Sequence, residues 1–119
     1  MIETDKPKFD LEERTFKFAK AIIDFVKKLP RNNINFEYGD QLLRAAGSQG
    51  SNYIEANESL SKKDFVMRVK ICRKETKEAI YWLKLVDINT DELQQERDKH
   101  IQEATELMKI FGAILEKCK

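Results

Sequence analysis

Few side chains in this sequence are suited to chemistry, and their spacing limits what each can do. His100 is the sole histidine. A di-iron or di-manganese centre in a helical bundle needs an inward Glu-x-x-His from each of two helices and two further glutamates. Arg97 stands where the glutamate of that motif would be, so one chain lacks the ligands. Glu55 with Glu58, and Glu75 with Glu78, have Glu-x-x-Glu spacing, which is commonplace on solvated helices. No metal or other cofactor is expected, and His100, near the edge of an inner helix face, is expected to be hydrogen-bonded and structural. Ser48 and Ser51 are unaccompanied by a histidine that could activate them. Cys72 and Cys118 are far apart, fall on apolar helix positions and lack a cationic pocket to lower a thiol pKa. They read as core thiols of a reducing cytosol. Neither kind of glycine-rich phosphate loop is present. No catalytic residue, and hence no enzyme, is expected.

One electrostatic feature remains. Residues 62–78 hold seven basic side chains (Lys62, Lys63, Arg68, Lys70, Arg73, Lys74, Lys77) against Asp64, Glu75 and Glu78, a balance of +4. On a helical wheel Lys63, Lys70, Arg73, Lys74, Lys77 and Lys84 lie together, opposite a seam centred on Cys72, with Tyr81 among them. Residues 87–106 carry seven acids against Arg97 and Lys99, a balance of −5. Three readings fit the basic stripe: a solvated face with pairs such as Lys74–Glu78, a match to an acidic partner surface such as a neighbouring subunit's helix, or phosphate binding, strengthened if subunits repeat the patch. Lys62 and Lys63 oppose the dipole at the start of their helix, a placement that a bound anion would relieve.

The elements that must position these residues are helices. The chain has 119 residues, 36% of them charged, with two prolines and four glycines. That is enough for one domain with a single core, and the breakers are too few for a turn-rich β fold. A net charge of +1 gives no overall attraction to nucleic acid or anionic lipid. No signal-peptide pattern opens the sequence and no run approaches the ~20 apolar residues of a membrane span, so a cytoplasmic protein is expected.

Four helices are expected, at about 10–29, 37–59, 62–86 and 91–118 of a single 1–119 domain. Asp10-Leu-Glu-Glu13 resembles a capping box, followed by an apolar face of Leu11, Thr15, Phe18, Ile22 and Leu29, ended by Pro30. The second helix is read through Leu43, Gly47, Gly50, Ile54 and Asn57, which puts both glycines inward beside Ala46 for close helix packing. Fifteen residues that keep this register point to a continuous helix; the alternative is a helix broken around a ligand loop. Ser61 and Thr90 are the expected caps of the third and fourth helices. Their seams run through Phe65, Val69, Cys72, Thr76, Ala79, Leu83 and Val86, and through Ala104, Leu107, Phe111, Ile114 and Cys118. Short links make neighbouring helices antiparallel, giving an all-α, up-and-down four-helix bundle.

Apolar residues exceed what one bundle needs. Met67, Ile71, Trp82 and Leu85 lie to one side of the Cys72 seam, widening the apolar arc to roughly 200° against the ~100° of an ordinary surface helix. Phe16 and Ile23 widen the first helix similarly. The excess fits either a thick aromatic core or, as favoured here, an interface between copies of the chain. Arg44, Asn52 and Glu55 form a separate polar stripe that suits a partner or the edge of a subunit contact.

Leu42-Leu43-Arg44, the small-residue run from Ala46 to Tyr53, Glu55-Ala-Asn-Glu58, Ser61-Lys-Lys-Asp-Phe65, Lys74-Glu-Thr-Lys-Glu78 and Tyr81-Trp-Leu83 together resemble the bacterial "four helix bundle protein" family. That family is named from proteins encoded in intervening sequences of large-subunit ribosomal RNA genes and is sometimes labelled ribosomal. The resemblance implies an antiparallel bundle that assembles into a ring, typically a homopentamer, with no catalytic residues to carry over. The accessory protein of diversity-generating retroelements is similar in fold and binds nucleic acid and a reverse transcriptase through a basic ring, although this chain is closer to neutral. The expectation is a non-enzymatic, self-associating bundle that contacts RNA or a nucleoprotein through Lys63, Lys70, Arg73, Lys74 and Lys77, and no membrane. The rival is a homo-oligomeric interaction scaffold without nucleic-acid contact.

Overall fold

A computed structural model describes residues 2–119, with side chains from Asp10 onward. Its elements are α1 (Ile2–Lys28), α2 (Asn33–Asn57), α3 (Lys62–Leu85) and α4 (Asp91–Lys117). Three of the four starts are set by a side-chain oxygen that takes an otherwise orphaned amide. Asn32 Oδ1 accepts from Asn35 N at 2.8 Å, Ser61 Oγ from Asp64 N at 3.1 Å, and Thr90 Oγ1 from Leu93 N at 3.1 Å. The start of α2 therefore lies earlier than residue 37, because the polar triplet Arg31-Asn-Asn33 supplies a cap and not merely a link. The first helix also starts earlier than expected. It runs unbroken from Ile2 through Asp10, so Asp10 is an exposed helical residue and not a cap. Pro7 lies within that helix and does not end it.

Each helix packs against its neighbours in sequence, and α1 closes the bundle against α4. Cross-helix contacts run in opposite directions along each pair, as in Glu12 to Asn57 and Val26 beside Gly39 for α1 and α2. The result is an up-and-down four-helix bundle, a rod of 47 × 24 × 19 Å. Phe18, Ile22, Phe25, Leu42, Val69, Cys72, Leu83, Leu107 and Phe111 fill its axis. One end is tied by a buried amide. Asn35 Nδ2 donates to Pro30 O at 2.8 Å and Asp87 O at 3.2 Å, and Asp87 N donates to Asn35 Oδ1 at 2.8 Å. The α1–α2 and α3–α4 links are thus held together chiefly by one side chain, with Asn32 Nδ2 adding a longer bond of 3.3 Å to Asp87 Oδ2.

The segment from Arg44 to Asn57 is continuous helix, and no described glycine has positive φ. Its buried line, however, is Leu42, Ala46, Gln49, Tyr53 and Ala56, one position from the line expected. Gly50 and Ala46 are buried; Gly47 and Ile54 are exposed. Gly50 does pack closely, since a Cβ there would lie 3.4 Å from Thr15 Oγ1, whereas a Cβ on Gly47 would meet nothing within 4 Å. Gln49 occupies the inner line because its Nε2 donates to both Thr15 O and Ala46 O at 3.0 Å.

Candidate nucleic-acid interface

The buried seam of α3 is Val69, Cys72, Thr76, Ala79 and Leu83, spaced by alternate steps of three and four. The register that buries these residues turns Lys63, Lys70, Arg73, Lys74 and Lys77 to the opposite side, and all five are exposed. Lys70, Arg73, Lys74 and Lys77 line a shallow groove of about 380 Å³ floored by Leu115 of α4. Lys70 also borders a second groove of about 460 Å³, with Lys62, Lys63, Val66 and Met67. The two meet at Lys70 to form one cationic trough along the outside of α3.

The cations are poorly neutralised within the chain. Lys74 approaches Glu75 at only 3.9 Å; among the described residues Lys63, Lys70, Arg73 and Lys77 make no ion pair. The contrast with the far side of α4 is clear. Arg14 of α1 grips Glu103 through two bonds of 2.7 and 2.8 Å and reaches Glu106 at 2.8 Å. Lys28 binds both oxygens of Glu96 at 2.7 and 2.8 Å. The Glu103 bond holds the Arg14 guanidinium firmly protonated. Glu96, Glu103 and Glu106 of α4 are therefore engaged by α1, and no acid of α4 pairs with an α3 cation among the described residues. Burial, with Glu78 adding repulsion and Lys74 opposing both, raises the Glu75 carboxyl above its ordinary value.

The remaining candidates separate into distinct places. Met67 is 57% exposed and Leu85 36%, while Ile71 and Trp82 are half-buried. These four lie on the flank of α3 toward α2, where Trp82 stacks on Tyr38 at 5.5 Å. Phe16 and Ile23, 62% and 39% exposed, sit on α1 instead. By helix register they adjoin a line on α2 of Phe36, Leu43, Gly47 and Ile54. The register shift that brings Gly47 and Ile54 outward thus creates an apolar strip that the sequence pattern had placed inside. Arg44 bonds Asp40 one turn earlier at 3.1 Å, and Asn52 joins Ser48 to Arg68, accepting from Arg68 Nη1 at 2.8 Å. Asn52 is therefore a joint between α2 and α3. Glu55 lines a groove of about 530 Å³ with Met67, Arg68 and Ile71.

His100 departs from its expected role. Its ring packs edge-on to Phe25 at 5.2 Å, but Nε2 is buried without a hydrogen bond and lies 3.8 Å from Glu96 Oε1. Burial lowers its pKa, opposed by Glu96. Ser51 Oγ donates to Ser48 O at 3.2 Å, and Ser48 Oγ accepts from Asn52, so both hydroxyls serve their own helix. Cys72 is buried, which pushes its thiol up to about 12, whereas Cys118 is only half-buried and lies at the end of α4. Among the described residues no group of three His, Cys, Asp or Glu could hold a metal ion, and no helix is long and apolar enough to cross a membrane.

The fold and this surface define an all-α bundle with a cationic outer helix and a core devoted to packing. Residues 8–113 match the model of the 23S rRNA-intervening sequence protein family, and the chain belongs to that family. It is similar to a solved protein of unknown function from the S23 ribosomal protein family of Bacteroides thetaiotaomicron: 28% identical, with a TM-score of 0.80 over 92% of this chain and 97% of that one. No curated protein matches it.

Proposed function

We propose that the chain is a non-enzymatic binding protein of the cytoplasm, which self-associates and contacts RNA or a ribonucleoprotein through the outer face of α3. The observation that carries this reading is the trough of five exposed cations, four of them without an ion pair among the described residues. Unopposed cations in a row attract phosphates and release counterions on binding. A catalyst is disfavoured because Ser48 and Ser51 bond their own helix, Cys72 is buried with a raised pKa, and Cys118 sits at the end of α4 away from any histidine. Titration with a structured RNA at several salt concentrations tests the reading. If all five cations meet phosphates, log K falls against log salt with a slope of about −4; flat or absent binding refutes it.

Self-association draws on the apolar side chains left in solvent, Phe16, Ile23, Met67 and Leu85 among them. Assembly into a ring, a pentamer by family resemblance, would repeat the cationic face and multiply its avidity. Light scattering is expected to give a mass several times the 14.0 kDa of one chain, reduced by Leu85→Glu or Trp82→Glu. The same apolar surfaces favour the second reading, a scaffold for protein contacts alone. Multimers that ignore RNA at every salt concentration would select it.

A further inference from the structure

We infer that the α3 face takes an unpaired stretch of RNA, with one base stacked on Tyr81. This inference rests on the RNA-binding reading above and specifies the form of RNA that the face accepts. Tyr81 follows Lys77 by one helical turn and Lys74 by two, and precedes Lys84 by nearly one, so its ring stands among the cations. It is 58% exposed, so much of its ring is open to a ligand. Its inner edge meets the Trp82 ring at 5.1 Å and 69°, and Trp82 is itself stacked on Tyr38. The exposed ring is therefore braced by Trp82, which Tyr38 holds in turn, and keeping it in place for a ligand costs little further side-chain entropy.

A cationic trough beside a braced aromatic face matches the chemistry of an unpaired strand. Cations track the phosphates while a ring offers its π face to a base, whatever the sequence. Paired RNA keeps its base faces against one another and presents phosphates and 2′-hydroxyls. A duplex would engage the lysines and leave Tyr81 unused. The distance from Lys63 to Lys84 is about 30 Å along the helix at 1.5 Å per residue, enough for several nucleotides. Leu115 adds an apolar floor in the middle of that path.

Trp82 is the only tryptophan and touches Tyr81, so its fluorescence reports on the platform. The test titrates the full chain with a short RNA lacking self-complementarity, and with a duplex of equal length at the same salt. The single strand is expected to bind about tenfold more tightly and to quench Trp82 emission. Tyr81→Ala is expected to lower single-strand affinity about tenfold and leave duplex affinity unchanged, whereas Tyr81→Phe retains both. Because Tyr81 is exposed the variants fold, which circular dichroism and solution mass verify. Equal affinity for the two RNAs, with no effect of Tyr81→Ala, overturns the stacking inference and leaves the RNA-binding reading standing. Failure of both RNAs to bind overturns both.

Discussion

Two alanines, at Gly47 and Gly50, separate the two lines of α2 in energy as well as in geometry. An interior helical glycine costs about 1 kcal/mol relative to alanine, because the unfolded chain gives up more freedom. At position 47 nothing lies within 4 Å of a new Cβ and the backbone is helical, so Gly47→Ala gains the full amount, about 0.5–1 kcal/mol. For a chain of this size that raises the melting temperature by about 2–5 °C. At position 50 the same gain is offset by contact with Thr15, whose Oγ1 would lie at 3.4 Å, Cβ at 3.5 Å and carbonyl oxygen at 3.6 Å. Thr15 has little room to withdraw: it is 1% exposed and its hydroxyl is bonded to Glu12 O at 2.9 Å. Gly50→Ala therefore gains less than Gly47→Ala, and Gly50→Leu loses about 1–3 kcal/mol through overpacking. Urea unfolding followed by circular dichroism gives each value. The midpoints are compared at a fixed chain concentration and again at a tenth of it, since assembly would make them concentration-dependent. A Gly47→Ala chain less stable than the parent would refute the outward placement of that residue. Equal gains at both positions would refute the close approach of Thr15.

Three further outcomes follow from the interior. Asn35→Ala removes three part-buried hydrogen bonds and leaves Pro30 O and both backbone groups of Asp87 short of partners; a loss of about 1.5–3 kcal/mol in the same assay is expected, and a loss below about 0.5 kcal/mol would contradict the tie between the links. His100 has a lowered pKa when folded, so below pH ~6.5 the unfolded chain binds the proton more readily. Stability then falls on acidification, by at most about 1.4 kcal/mol per pH unit from this group, and His100→Gln flattens that part of the profile. A thiol reagent is expected to modify Cys118 alone in the native protein and Cys72 as well in denaturant; rapid reaction of both in the native state would place Cys72 wrongly.

The seam of α3 was legible because every position from Val69 to Leu83 that faces inward is apolar, small or a threonine able to bond its own helix, as Thr76 does to Cys72 O. The outward direction of the lysines followed from the same register, since unpaired charge does not enter a core. Their freedom from partners could not be read, because only the folded chain shows Glu96, Glu103 and Glu106 engaged by α1 across the bundle. In α2 two plausible apolar lines lie one residue apart. Gln49 made the true one look wrong, since its burial depends on Thr15 O, a backbone oxygen 34 residues away. Asn35 was missed for the same reason: its partners belong to links that only the folded chain brings together. The asparagine-rich stretch at 32–35 carried the sole available signal, as asparagine favours helix caps.

The Asn35 clasp makes the two ends of the rod unequal. At its end, two chain reversals must come apart together before either can loosen. At the opposite end the turn from Glu58 to Ser61 has no such cross-link among the described residues, with Leu60 99% exposed. Fraying therefore starts there, and amide protons near that turn should exchange with solvent well before those around Asn35 and Asp87.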